Sequence, residues 1–113
     1  MESIRQIFQE IDSALREDPS QAEGVNAVYE FHFHDEESLT YQLVLKEDEK
    51  YASEGSKEDA DCTLTMLKED FKKMVEGELN GTKAFMSGRL KIQGNMGLAL
   101  KLQNLLSSYK AVN

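Results

Sequence analysis

The chain predicts an α+β fold, a mostly antiparallel five-stranded sheet covered on one face by helices. Three patterns lead there. Apolar residues recur at helical spacing near both ends of the chain and again over residues 67–75, and between these stretches they alternate with a period of two. The last helical stretch is also apolar around more of its circumference than one-sided packing uses. At 113 residues the chain reads as one domain, residues 1–113.

In the first helix Ile4, Ile7, Phe8, Ile11 and Leu15 share a face, Ser3 with Gln6 fits a capping box, and Pro19 marks the far limit. Its polar face carries Glu2, Glu10, Asp12, Glu17 and Asp18 against Arg5 and Arg16, which suits water better than an anionic surface. From Val25 the period becomes two. Tyr29, Phe31 and Phe33 alternate with Glu30, His32 and His34, and beyond a polar turn Tyr41, Leu43 and Leu45 share a side, giving a hairpin. Residues 46–60 are heavily charged, with Tyr51 and Ala52 as a short edge strand and the rest as loop.

Cys62, Leu64 and Met66 form the apolar side of a fourth strand. Leu67, Phe71, Met74 and Val75 return to helical spacing, and Gly77 suits a left-handed helix terminus. A helical turn over residues 82–86 ends at Gly88, Leu90 and Ile92 alternate with Arg89, Lys91 and Gln93 as a last strand, and Asn95 stands where a helix needs a cap.

The final helix is the unusual one. Wound at about 100° per residue, Leu98, Leu102, Leu105 and Tyr109 make a stripe, Ala99 and Leu106 widen it, and Met96 and Leu100 extend it. The apolar arc covers roughly 220°, against the ~100° that one-sided packing requires. Gln103 falls inside the arc, where an unpaired amide costs about 1–3 kcal/mol. Two readings fit: a central helix packed on most sides by its own protein, or a wall between a core and a cavity.

Net charge is −8, unevenly spread: residues 1–61 hold 5 basic and 17 acidic side chains, residues 62–113 hold 8 and 4. An acidic chain argues against nucleic acid as a partner, while the basic second half is suited to local contact with an anionic surface. A lone cysteine and no hydrophobic leader after Met1 lead to the expectation of a reducing, cytoplasmic setting. No run approaches the ~18 apolar residues of a membrane span.

Little here suggests catalysis. His32 and His34 share a face with Glu30 as metal ligands would, but two solvated histidines explain the pattern equally and no further ligand stands at metal-site spacing. Cys62 has no histidine near it in sequence. The carboxylates cluster in charge-dense segments without an apolar pocket to tune them. The expectation is no catalytic residue, no metal and no cofactor. Gly94-Asn95-Met96-Gly97 offers N–H groups for an anionic head group or a plain helix cap. Met66, Met74, Met86 and Met96 lie on apolar faces, where flexible thioethers fill either a core or a cavity of variable content.

Ala60 through Met66, Phe71, Gly77, Lys83 through Ile92 and Gly94 through Leu106 together closely resemble the sterol carrier protein 2 domain. The match is dense over residues 60–106 and only pattern-level before them. The resemblance implies a small α+β domain enclosing a hydrophobic tunnel for fatty acids, fatty acyl-CoA or sterols, without catalysis of its own, and Gln103 matches a glutamine near that tunnel. On this basis Phe31, Phe33 and Leu43 from the strands, Met66, Phe71 and Met74 after them, Phe85, Met86 and Leu90, and Met96, Leu100, Leu102 and Leu105 from the final helix are expected to line it. Gln103 would hydrogen-bond the lipid. A monomeric carrier in transient contact with membranes is expected; the rival is an adaptor whose apolar groove takes a partner's helix or peptide.

Three departures from the family stand out. The chain ends Ala111-Val112-Asn113 rather than in a peroxisomal Ser-Lys-Leu signal. The acidic first helix moves the expected membrane contact to the end bearing Lys68, Lys72 and Lys73 or to the final helix. Gly81 stands where the family often has proline at a helix start.

Overall fold

The computed structural model describes residues 3–22 and 24–112, except the side chains of residue 21 and of residues 107–112. Helix α1, Ile4–Glu17, is followed by a single 3₁₀ turn, Pro19–Ala22. Strands β1 Ala27–Phe33, β2 Thr40–Leu45, β3 Lys50–Glu54 and β4 Cys62–Met66 precede helices α2 Lys68–Val75 and α3 Gly81–Met86, strand β5 Lys91–Gly94 and helix α4 Met96–Val112. The sheet runs β3-β2-β1-β4-β5. Every neighbouring pair is antiparallel except β1 with β4, where Phe31 lies beside Leu64.

The parallel pair puts β1 at the centre, and its residues explain the placement. Tyr29, Phe31 and Phe33 are buried on one face, where Phe8 of α1 stacks on Tyr41 at a centroid distance of 4.3 Å and on Phe71 at 5.0 Å. Phe31 meets both Phe8 and Phe71 edge-on, a geometry that favours contact between positive ring edge and negative face. The capping box closes as expected: Ser3 Oγ accepts from Gln6 N while Gln6 Oε1 accepts from Ser3 N. Asp12 Oδ1 accepts from Ala52 N at 2.9 Å and so ties α1 to the edge strand β3.

One local feature differs from the expectations. The edge strand spans five residues rather than two, because β3 pairs along β2 from Leu45 to Tyr41. The segment after it is the expected loop, largely exposed and hydrogen-bonded to the second sheet face. Buried Gln42 organises it, donating from Nε2 to Glu30 Oε1 and Glu58 O at 2.8 Å each and accepting at Oε1 from Lys57 N and Glu58 N. All four hydrogen-bonding positions of the amide are used, so its burial leaves no polar group unmet. No helix among the described residues is long and apolar enough to cross a membrane.

Candidate functional site

Helix α4 lies against α2, α3, β4 and β5, and its start is fixed from three sides. Asn95 Oδ1 accepts from Leu98 N at 3.2 Å, which makes Asn95 a plain cap. Gly94 has φ +106°, and a Cβ there would lie 2.4 Å from Asp61 O, so only glycine lets β5 close on β4 at this point. The Tyr29 hydroxyl donates to Leu98 O at 2.7 Å, joining the central strand to the second residue after Met96. Burial, with Cys62 and Asp61 nearby, pushes this phenol well above its ordinary pKa and keeps it a donor.

One side of α4 is core: Leu102, Leu105 and Leu106 are buried, and Leu98 and Ala99 pack against them. The other apolar side is not. Met96 is 45% and Leu100 58% exposed, and both lie on the stripe that reaches Gln103 two turns after Met96 and one after Leu100. Helix α3, capped by Asn80 Oδ1 through Thr82 N and Lys83 N, adds Phe85 at 42% and Met86 at 80% exposure. Lys83, Arg89 and Lys101 are exposed on the same elements or beside them.

The two helices meet at Gln103. Its Oε1 accepts from Gly81 N at 2.8 Å, which supplies the partner that an amide inside an apolar arc requires. A Cβ on residue 81 would stand 2.6 Å from that oxygen.

The fourteen residues expected to line a tunnel therefore divide. Phe31, Phe33, Leu43, Met66, Phe71, Met74, Leu90, Leu102 and Leu105 belong to one packed core. Phe85, Met86, Met96 and Leu100 are exposed on α3 and α4, and half-buried Gln103 stands where those helices touch. Tyr109, expected on the same helix, has a side chain outside the described residues. The contacts of Gly81 with Gln103 and of the Tyr29 hydroxyl with Leu98 are the two structural features that sequence reading did not place. The signal for Gly81 was its own departure from proline; a hydroxyl at the end of a core tyrosine carries no such signal.

The other candidate groups have ordinary roles. His32 Nε2 lies 2.6 Å from Glu30 Oε2. Burial alone raises the Glu30 pKa, but hydrogen bonds involving Ser56, His32 and Gln42 outweigh it and hold the carboxylate below its ordinary range. His34 is exposed, and no group of three His, Cys, Asp or Glu side chains among the described residues has metal-holding geometry. Cys62 is buried; burial and then Asp61 push its thiol up, away from the nucleophilic thiolate.

Comparison with known proteins bears on the family and the fold. The family model described as the SCP-2 sterol transfer family matches residues 5–107. Hydroxysteroid dehydrogenase-like protein 2 of Pongo abelii is 38% identical over 110 residues, covering 96% of this chain and 26% of its own length. Human sterol carrier protein 2 is 37% identical over 103 residues, covering 88% of this chain and 19% of its own. The chain thus spans about a fifth to a quarter of the curated relatives it matches. Among solved structures, the apo form of sterol carrier protein 2 from Yarrowia lipolytica superposes with a TM-score of 0.77 at 32% identity, covering 92% of this chain and 89% of that one.

Proposed function

This chain belongs to the SCP-2 sterol transfer family, and from that premise we propose that it is a non-catalytic lipid carrier that accepts a fatty acid, fatty acyl-CoA or sterol against the α3–α4 face. The observation that supports this most is the exposure of Phe85, Met86, Met96 and Leu100 on two helices joined by a single glutamine. Leaving large apolar side chains in water forgoes about 25 cal/mol for each Å² that a guest would cover. A lipid tail of ~15 methylenes brings at most about 12 kcal/mol gross, at 0.8 kcal/mol for each one fully covered, less several kcal/mol of lost freedom. That balance holds a ligand and still releases it, which a carrier needs.

In this reading the protein works as a cytoplasmic monomer that meets membranes transiently. Membrane contact falls to the second half of the chain, because the apolar face of α1 is wholly buried. Lys68 is less suited to it than its charge suggests, since its Nζ is paired with Glu36 at 2.7 Å. Exposed Lys83, Arg89 and Lys101 flank the apolar residues instead.

Native mass spectrometry with lipid extraction, followed by displacement of a fluorescent fatty acid, tests the proposal. Bound lipid and saturable displacement are expected; their joint absence removes the carrier reading. The exposure of Met86 also suits a partner's helix, the adaptor reading. That alternative predicts self-association of the empty protein, whereas a carrier stays monomeric with and without lipid.

A further inference from the structure

We propose that the α3–α4 face docks on anionic membranes, with Phe85 and Met86 entering the bilayer surface inside a rim of Lys83, Arg89 and Lys101, so that a lipid passes between bilayer and protein without crossing water. This rests on the carrier reading and names the partner of that same site.

The charge of the chain changes at one point. All 21 acidic side chains precede residue 79, and the five basic ones after it have no carboxylate among them. Cations of the earlier segment are drawn into pairs, as Lys46 is with Glu58 and Lys68 with Glu36. Lys83, Arg89 and Lys101 are exposed, and no carboxylate of the described residues stands within ion-pair distance of them.

Short links gather the three cations around the apolar residues. Lys83 and Met86, three apart on α3, share a side of it. Arg89 N donates to Ala84 O at 2.9 Å, which holds the arginine at the C-terminal end of α3, where Met86 is the last residue. Lys101 follows Leu100, whose stripe reaches α3 through the contact of Gln103 with Gly81 N. Glu76 and Glu78 precede α3, at the end opposite Met86. Asp61, whose carbonyl meets Asn95 N before α4, commits its carboxylate to Val28 N.

The net charge of −8 does not decide the outcome. The molecule measures 34 × 30 × 26 Å, and screening at physiological ionic strength acts over about 8 Å. Acids on the far side are therefore shielded, while cations in contact are not. Each Lys or Arg brought to an anionic surface strengthens partitioning about fivefold, so the rim favours an anionic bilayer over a neutral one by up to about a hundredfold.

Vesicle flotation of the whole chain tests this, on phosphatidylcholine alone and on phosphatidylcholine mixed with phosphatidylglycerol. The anionic vesicles should bind about tenfold more tightly or better, and added salt should remove the difference. The triple variant Lys83→Gln, Arg89→Gln, Lys101→Gln should lose the preference yet still bind a displaceable fluorescent fatty acid in vesicle-free solution. Arg5→Gln with Arg16→Gln, an equivalent change on α1, should keep it. The chain has no tryptophan, so Met86→Trp and Gln9→Trp report which face docks: on anionic vesicles emission should shift to the blue for the first and stay unchanged for the second. Equal binding to both vesicle types, binding to neither, a preference that survives in the triple variant, or a shift at residue 9 without one at residue 86 overturns the docking proposal and leaves the carrier reading intact as long as wild-type protein releases the fluorescent fatty acid. Loss of fatty-acid binding by the triple variant in solution also overturns it, since the cations would then serve the ligand. Anionic binding by a wild type that takes up no fatty acid overturns the carrier reading alone.

Discussion

Helices α1 and α4 begin alike, each with a polar cap, and differ in what becomes of their apolar residues. In α1 the five apolar positions of one stripe are all buried and the rest of the surface is mostly polar or charged. In α4 the stripe facing the sheet is buried, yet Met96 and Leu100 remain in water. A helix whose apolar arc matches its protein contact is finished as a structural element. One whose arc exceeds that contact has surface left for something that is not part of the fold.

Substitutions that separate the two sides of α4 sharpen this contrast most. Leu102→Glu places a charge where the side chain is 1% exposed, and with no partner for it the loss should exceed about 4 kcal/mol; thermal melting should find the variant unfolded or nearly so. Leu100→Glu, two positions earlier, should change stability by less than about 1 kcal/mol while abolishing uptake of fluorescent fatty acid. If Leu100→Glu unfolds the protein, or folds and takes up lipid normally, the two sides of α4 do not differ as described. On α1, Phe8→Ala should cost about 3–5 kcal/mol by emptying the aromatic cluster, and denaturant titration should show it. Uptake per folded molecule should not change.

Smaller effects probe how α1 is held. Asp12→Ala removes the acceptor of Ala52 N and should cost about 1 kcal/mol, with faster amide exchange at Ala52. Ser3→Ala opens the capping box at a similar cost of about 1 kcal/mol.

Acid titration addresses the second face of the sheet. The Glu30 pKa is lower in the folded protein than its ordinary value, so its ionised form stabilises the fold at neutral pH. That contribution is present above the unfolded pKa and is lost as pH falls through the folded one. Stability measured across the acidic range should therefore drop less steeply in Glu30→Gln than in the wild type.

How far the sequence disclosed this molecule follows from where each signal is written. Helix α1 was legible residue by residue, because its period, its cap and its stop at Pro19 are all local. So were β1 and β2, whose core-facing Tyr29, Phe31, Tyr41 and Leu43 are buried, although Val28, Gln42 and Val44 between them are buried as well. The parallel pairing of β1 with β4 was not, since it depends on how residues 55–61 return across the sheet. That return is organised by Gln42, a polar residue that alternation alone assigns to solvent. The resemblance over residues 60–106 supplied the family. It left open how the fourteen candidate lining residues divide between core and surface, which is decided by packing between α3 and α4 and not by any pattern within either. Gln103 illustrates both halves: its need for a partner was readable from the apolar arc, and the identity of that partner, a backbone N–H 22 positions earlier, was not.

The central claim, that the α3–α4 face is where a lipid lies, is tested most directly by methyl NMR of methionine-labelled protein titrated with palmitate. Met86 and Met96 are exposed on the two helices, and Met66 is buried beside Phe33 in the sheet. The account predicts that the Met86 and Met96 signals shift together and saturably while Met66 stays nearly still. A response at Met66 with none at Met86 and Met96, or no response anywhere, would contradict it.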